Sequence, residues 1–208
     1  MPRISQILVP AFFPNQGPIH TMIFGEAPGP RGADQSGLPF WGDGAGVAVY
    51  RALSSAKMAE VPPEAYEKWD GAALREAKLV PSLRGVALSN AYPRCPTRDG
   101  EHFKAPSDSE LRAPENLRRV VEELERATGS GGRRPLSVLA LGRRAGWLLQ
   151  RLPGAPPFRL GVLPHPSAQG LLQAAPGKGK GMRLAELREA WEERLRDLLL
   201  EAAGPDRP

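Results

Sequence analysis

Apolar positions in this chain come alternately as short continuous runs and as stripes with helical spacing. Thr21-Met22-Ile23-Phe24 is a β-favouring run that stops at Gly25, and Pro10, Pro14 and Pro18 break the stretch before it into an irregular arm. Val47, Val49, Tyr50 and Leu53 then recur at helical intervals, which predicts a helix from about Gly44 to Lys57. Pro62 and Pro63 can open another helix, in which Tyr66, Trp69, Ala73, Leu74 and Ala77 form one apolar stripe with Gly71 weakening its middle. Val86-Ala87-Leu88-Ser89-Asn90 reads as a buried strand that ends on a polar residue. From Tyr92 to Pro114 the chain is polar and punctuated by proline, and longer than an ordinary connection, the pattern of a binding or lid loop or of disorder.

Leu117, Val120, Val121 and Leu124 stand at i, i+3, i+4 and i+7, so a helix follows Pro114 and stops near Gly129, with a flexible turn from Gly129 to Arg134. Ser137-Val138-Leu139-Ala140-Leu141 is the third strand, Gly142 a turn, and Ala145, Leu148, Leu149 and Leu152 the buried stripe of the next helix. Phe158 to Leu163 makes the fourth strand. A Gly/Lys segment, Pro176 to Gly181, precedes a last helix over about 182–201, whose Leu184, Leu187, Trp191, Leu195 and Leu198 share a face. Strands that alternate with helices imply right-handed crossovers, so the expected fold is α/β: a three-layer α/β/α arrangement around a central four-stranded parallel sheet. Ligands of such sheets bind at the carboxyl ends of the strands. All 208 residues are expected to form one domain, with residues 1–20 as its N-terminal arm.

The net charge of +5 favours nucleic acid or another polyanion as partner. Cys95 is the only cysteine, which rules out an intrachain disulfide and fits a reducing cytoplasm. No apolar run approaches the roughly 18 residues a bilayer span requires.

Two Gly/Pro-bounded segments close strands and carry the candidate chemistry. The first is Gly25-Glu26-Ala27-Pro28-Gly29 with Asp34, Gly37, Pro39, Phe40 and Gly42; the second is Leu163-Pro164-His165-Pro166-Ser167. Together they suggest a pocket for a base. The glycines of the first match neither G-x-G-x-x-G nor a Walker loop, and Gly177-Lys178-Gly179-Lys180-Gly181 follows no strand and lacks the Lys-Ser/Thr pair. A thiol nucleophile at Cys95 with His165 as base would need an activating helix N-terminus that the pattern does not supply. His20 and His102 show no metal-ligand spacing, so no metal is expected.

These residues resemble the uracil-DNA glycosylase superfamily over about Thr21 to Gln169. The first segment looks like the family's first motif, most of all in its thermostable iron–sulfur branch; His165-Pro166-Ser167 looks like the second catalytic motif, and Asn90 ends a strand like the uracil-reading segment. The resemblance implies a glycosylase that releases uracil from DNA with water and no cofactor, or, as the alternative, a catalytically weak or inactive DNA-damage-binding protein that keeps the base pocket. His165, Asn90 and Glu26 are the implied catalytic set. Gly25, Ala27, Pro28, Gly29, Asp34, Phe40 and Asn90 would line the substrate, Phe40 as an aromatic face and Asn90 as donor and acceptor to the base edge. DNA contacts would come from Ser167, Gln169 and Leu171 in the loop after His165, where an apolar wedge belongs that Leu171 or Leu172 would supply, and from Arg143, Arg144, Lys178, Lys180 and Arg183. The implied partner is uracil-containing DNA, met by a monomer.

This chain departs from the family at several places. Ala27 stands where the best-known branch has a water-positioning aspartate, and Gly29 where it has an aromatic that blocks thymine's methyl. The spacing from Gly29 to Asp34 is one residue longer than in the iron–sulfur branch. One cysteine cannot supply the four thiolates of that branch's cluster, so the chain reads as a cluster-free relative, with Cys95 a relic of one ligand.

Overall fold

The computed structural model describes residue 5 and residues 7–131 and 135–204. Residues 1–4 and 6 of the expected arm, 132–134 of the expected turn and 205–208 lie outside the described residues. In chain order the elements are β1 (Thr21–Gly25), α1 (Ala33–Ser36), α2 (Gly46–Ser55), β2 (Ala59–Glu60), α3 (Gly71–Glu76), β3 (Ser82–Leu83), β4 (Val86–Asn90), α4 (Asp108–Leu111), α5 (Pro114–Thr128), β5 (Leu136–Leu141), α6 (Arg143–Gln150), β6 (Phe158–Leu163), α7 (Ala168–Ala174) and α8 (Leu184–Ala203).

The four apolar runs pair as a parallel sheet in the order β4-β1-β5-β6. Successive side chains of a strand point to opposite faces, and both faces here are covered. Ile23, Leu88, Leu139 and Leu141 meet α2 and α8 on one side; Met22, Phe24, Val138 and Ala140 meet α5 and α6 on the other. These are the expected three layers. Register decides what happens at the strand ends: Gly25 of β1 lies directly beside Asn90 of β4.

The arm is an irregular segment with a defined place. Phe12 exchanges backbone hydrogen bonds with Leu88, and Val9 N–H donates to Pro93 O, so the arm caps the edge strand β4 that would otherwise offer an unpaired ladder.

Three expectations are corrected. The continuous helix after Pro62 is a single 3-10 turn, Pro63–Tyr66, separated from α3. Asp70 is extended there and its carboxylate accepts from Ala73 N–H at 3.0 Å, because Gly71 N–H is bound to Arg31 O and Trp69 Nε1–H to Asp43 O; these long-range bonds outcompete helical continuation. The segment after His165 is a helix, α7, capped by the Ser167 hydroxyl on Gly170 N–H. The long loop also contains α4, whose Ser107 and Glu110 form a reciprocal capping box. A two-stranded antiparallel pair of β2 with β3, unforeseen in the pattern, clips the α2 end to the approach to β4. Among the described residues no helix is long and apolar enough to cross a membrane.

Candidate active site

A cleft of about 1210 Å³ opens at the carboxyl ends of the strands, with Gly25, Glu26, Phe40, Asp43, Arg143 and His165 on its walls. Its floor is built by close approach. A Cβ at Gly25 would lie 2.5 Å from Asn90 Oδ1 and 2.9 Å from Phe40 Cε1, so only glycine lets the amide and the ring come together across the end of β1. Phe40 holds a left-handed backbone (φ 64), a conformation that costs a non-glycine residue on the order of 1–2 kcal/mol and that aims its ring inward. Asn90 is 3% exposed, and its Nδ2 has no hydrogen-bond partner among the described residues. A buried, unpartnered donor costs about 1–3 kcal/mol, which a ligand acceptor would recover.

His165 projects from the loop after β6. Its Nδ1 lies 3.3 Å from Ser167 N–H and accepts from it, and burial pushes the imidazole below its ordinary value. Near neutral pH the ring is uncharged, and with Nδ1 engaged as acceptor the proton sits on Nε2. Pro164 O is in turn fixed by Trp191 Nε1–H of α8 at 2.9 Å. The cleft therefore presents an aromatic face and a neutral N–H donor, with the Asn90 amide buried directly against Gly25 of its wall.

A family model for the uracil DNA glycosylase superfamily matches residues 14–194. The chain belongs to that superfamily. Membership supports a DNA glycosylase-type function, with DNA as the partner. No curated protein matches the chain.

Superfamily motif residues separate into those that face the cleft and those that support it. Gly25, Glu26, Ala27, Gly29, Phe40, His165, Ser167 and Gln169 line the cleft, as does Arg143. Pro28 and Asp34 are buried behind it; Asp34 accepts the Ser5 hydroxyl at 2.6 Å, and its own N–H donates to Gly29 O at 3.1 Å. Leu171, expected at the DNA surface, is 5% exposed and packs in the core beside α8, because α7 turns that face inward. Arg144, expected on phosphate, is already engaged: it lies 3.4 Å from Glu26 Oε1 and donates to Asp108 Oδ1 at 2.8 Å and to Pro106 O at 2.5 Å. It ties the long loop to the cleft wall. Lys178, Lys180 and Arg183 are exposed but lie off the cleft, and Arg183 pairs with Glu186.

Two carboxyls face the cleft. Burial raises Glu26, and Arg144 draws it partly back. Asp43 was not singled out by sequence reasoning, although an acid between Gly42 and Gly44 at the end of the first motif is a readable signal. Burial pushes its carboxyl up to about 6 against the hydrogen bonds it accepts from the backbone N–H groups of Ala33, Gly29 and Gly32, with Asp34 nearby adding to the rise. It sits so close that a Cβ at Gly29 would be 2.2 Å from Asp43 Oδ1. Asp43 thus gathers the motif loop around one carboxylate.

Behind Asn90 lies a second group that the sequence did not reveal. Arg119 of α5 donates to Asn90 O at 2.9 Å, to Ala91 O at 3.2 Å and to Asn116 Oδ1 at 3.0 Å, and pairs with Glu123 at 2.5 Å; Glu123 in turn accepts from Ser89 Oγ. The spacing 116, 119, 123 was visible on the helix; its target 29 residues away was not. Among the described residues no three His, Cys, Asp or Glu side chains gather to hold a metal, and a four-thiolate cluster does not fit a chain with one cysteine.

Proposed function

We propose that the protein hydrolyses the N-glycosidic bond of deoxyuridine in DNA and releases uracil, as a cluster-free relative of the iron–sulfur branch. The observation that carries this reading is the unpartnered Asn90 Nδ2 set against Phe40. Uracil offers O4 as acceptor and N3–H as donor, and the amide supplies the complementary pair: Nδ2–H to O4, Oδ1 from N3–H. The nucleotide must leave the stack to reach these groups, and the Phe40 ring replaces the stacking it loses.

As the C1′–N1 bond breaks, its electron pair moves onto the base. His165 donates from Nε2 to O2, stabilising charge that is absent from the ground state and develops in the transition state; a neutral imidazole does this without attracting the ground-state base as an ion would. The sugar becomes cationic, and the carboxylates of Glu26 and Asp43 set a negative potential opposite it. Water attacks C1′, and its proton passes to Glu26, whose raised basicity suits it to the task. The uracil anion takes up a proton from solvent.

Uracil-containing oligonucleotides incubated with the protein and treated with alkali test the reading. Cleavage at uracil is expected, and His165→Ala should slow single turnover by roughly 10²–10³. An unaltered rate removes His165 from the chemistry. Ala27, at the water-positioning place of the best-known branch, favours one second reading: a damage-binding protein that holds the base without hydrolysis. Retained binding with no cleavage would establish it instead.

A further inference from the structure

Drawing a nucleotide into the cleft leaves a hole in the duplex, and proteins that extrude bases or kink DNA commonly fill such a gap with an apolar side chain. The segment after His165 places none at the cleft: Leu171 is in the core, Leu172 is half-buried against Gly179 and off the cleft, and Gln169 is polar. Among the described residues, the large apolar side chains that both line the cleft and remain exposed are Phe103, 46% exposed, and Val162, 47% exposed. Val162 is short and lies on β6 with its methyls against Gly146 of α6. Phe103 lines the cleft from the base of a tight turn.

That turn is built to hold a shape. Thr97 and Phe103 bridge as antiparallel partners, and Lys104 N–H donates to Pro96 O at 2.8 Å. At its tip Asp99 accepts from the N–H groups of Glu101 and His102, while the buried Thr97 hydroxyl accepts from Gly100 N–H. The base of the loop is tied to the cleft wall through Arg144, which holds Pro106 and Asp108. Arg98 and Lys104, both exposed, flank the ring with positive charge suited to the phosphates on either side of a disrupted step. The ring is thus presented on a fixed support beside the mouth of the pocket.

We infer that Phe103 is the wedge that enters the DNA stack when the target nucleotide is withdrawn. The inference rests on DNA as the ligand of this cleft, and it moves the wedge from the segment after His165 to the long loop between β4 and α5. A single strand has no partner stack to hold open, so the ring's contribution belongs to duplex substrate.

Excision from uracil-containing duplex and single strands by the parent, Phe103→Ala and Phe103→Leu tests it, alongside fluorescence of 2-aminopurine placed next to the uracil. Phe103→Ala should lower duplex excision by roughly tenfold to a hundredfold, since nothing then fills the unstacked step, and leave single-strand excision within about twofold; Phe103→Leu should recover part of the loss. The parent should raise 2-aminopurine fluorescence in the duplex, and Phe103→Ala should raise it less. Equal loss on both substrates, an unchanged duplex rate or equal fluorescence overturns the wedge. If the parent cleaves nothing, the excision reading fails, and the fluorescence arm alone decides the wedge: a rise that depends on Phe103 supports it, and no rise in the parent overturns it.

Discussion

Asp43 illustrates how one side chain shapes both stability and site. Its carboxyl accepts three loop amides, yet burial still leaves it at about 6 against the ordinary 3.8. The native state therefore binds this proton more tightly than the unfolded chain does. Stability associated with Asp43 is fully present below about pH 4 and is lost as pH rises through 6, by about 3 kcal/mol at 1.36 kcal/mol per pKa unit. Asp43→Asn removes that dependence. Urea unfolding at pH 4.5 and pH 7.5 should show the variant gaining on the parent by about 2 kcal/mol between the two conditions. A constant difference would mean the carboxyl does not titrate where burial places it. His165 has the opposite sign: its lowered value makes the neutral ring a source of stability that is present above about pH 6.5 and lost as pH falls toward the folded value.

At the scale of elements, α5 acts on the site without touching the cleft. Arg119 fastens the carbonyls of Asn90 and Ala91, where β4 ends, and Glu123 balances its charge while holding Ser89. It is a positioning residue for Asn90, the proposed base reader. Arg119→Ala leaves the half-buried Glu123 without its cation and the two carbonyls without their donor, and should cost about 1–3 kcal/mol in unfolding free energy. Arg119→Lys keeps the charge but not the planar fork that reaches two carbonyls and Asn116 together. It should therefore keep more of the stability while weakening discrimination of uracil against cytosine, read from single-turnover rates on the two bases. Discrimination equal to the parent's in the lysine variant would limit Arg119 to a structural role. The neighbouring elements α6 and α7 divide labour similarly: α6 starts with Arg143 in the cleft and Arg144 turned to Glu26, whereas α7 buries Leu171 and leaves Gln169 at the mouth.

For the whole molecule, the net charge of +5 is useful to DNA binding only where cations remain available. Arg143 lines the cleft and Arg98 and Lys104 flank its rim, all exposed, while the Arg144 guanidinium already has protein partners. Each phosphate neutralised on duplex DNA adds a slope of about −0.9 to log K against log salt. Fluorescence anisotropy over a salt series should show Arg143→Ala flattening the slope by about one such increment and Arg144→Ala leaving it unchanged; the reverse pattern would exchange their roles. Much of this architecture was legible in the sequence. The four strands, the helices α2, α5, α6 and α8 and the placing of Asn90 and His165 at strand ends follow from apolar spacing, because neighbours along the chain decide which face of a strand or helix can be buried. The loops that form the cleft are also readable as Gly/Pro-bounded segments. Only the tertiary structure decided that Asp70 breaks a helix, that Leu171 points inward, that Arg144 is engaged and that Arg119 and Asp43 hold Asn90 and the motif loop. Those outcomes depend on hydrogen bonds and packing between residues far apart in the chain, and local periodicity carries no record of which distant carbonyl or amide a side chain will meet.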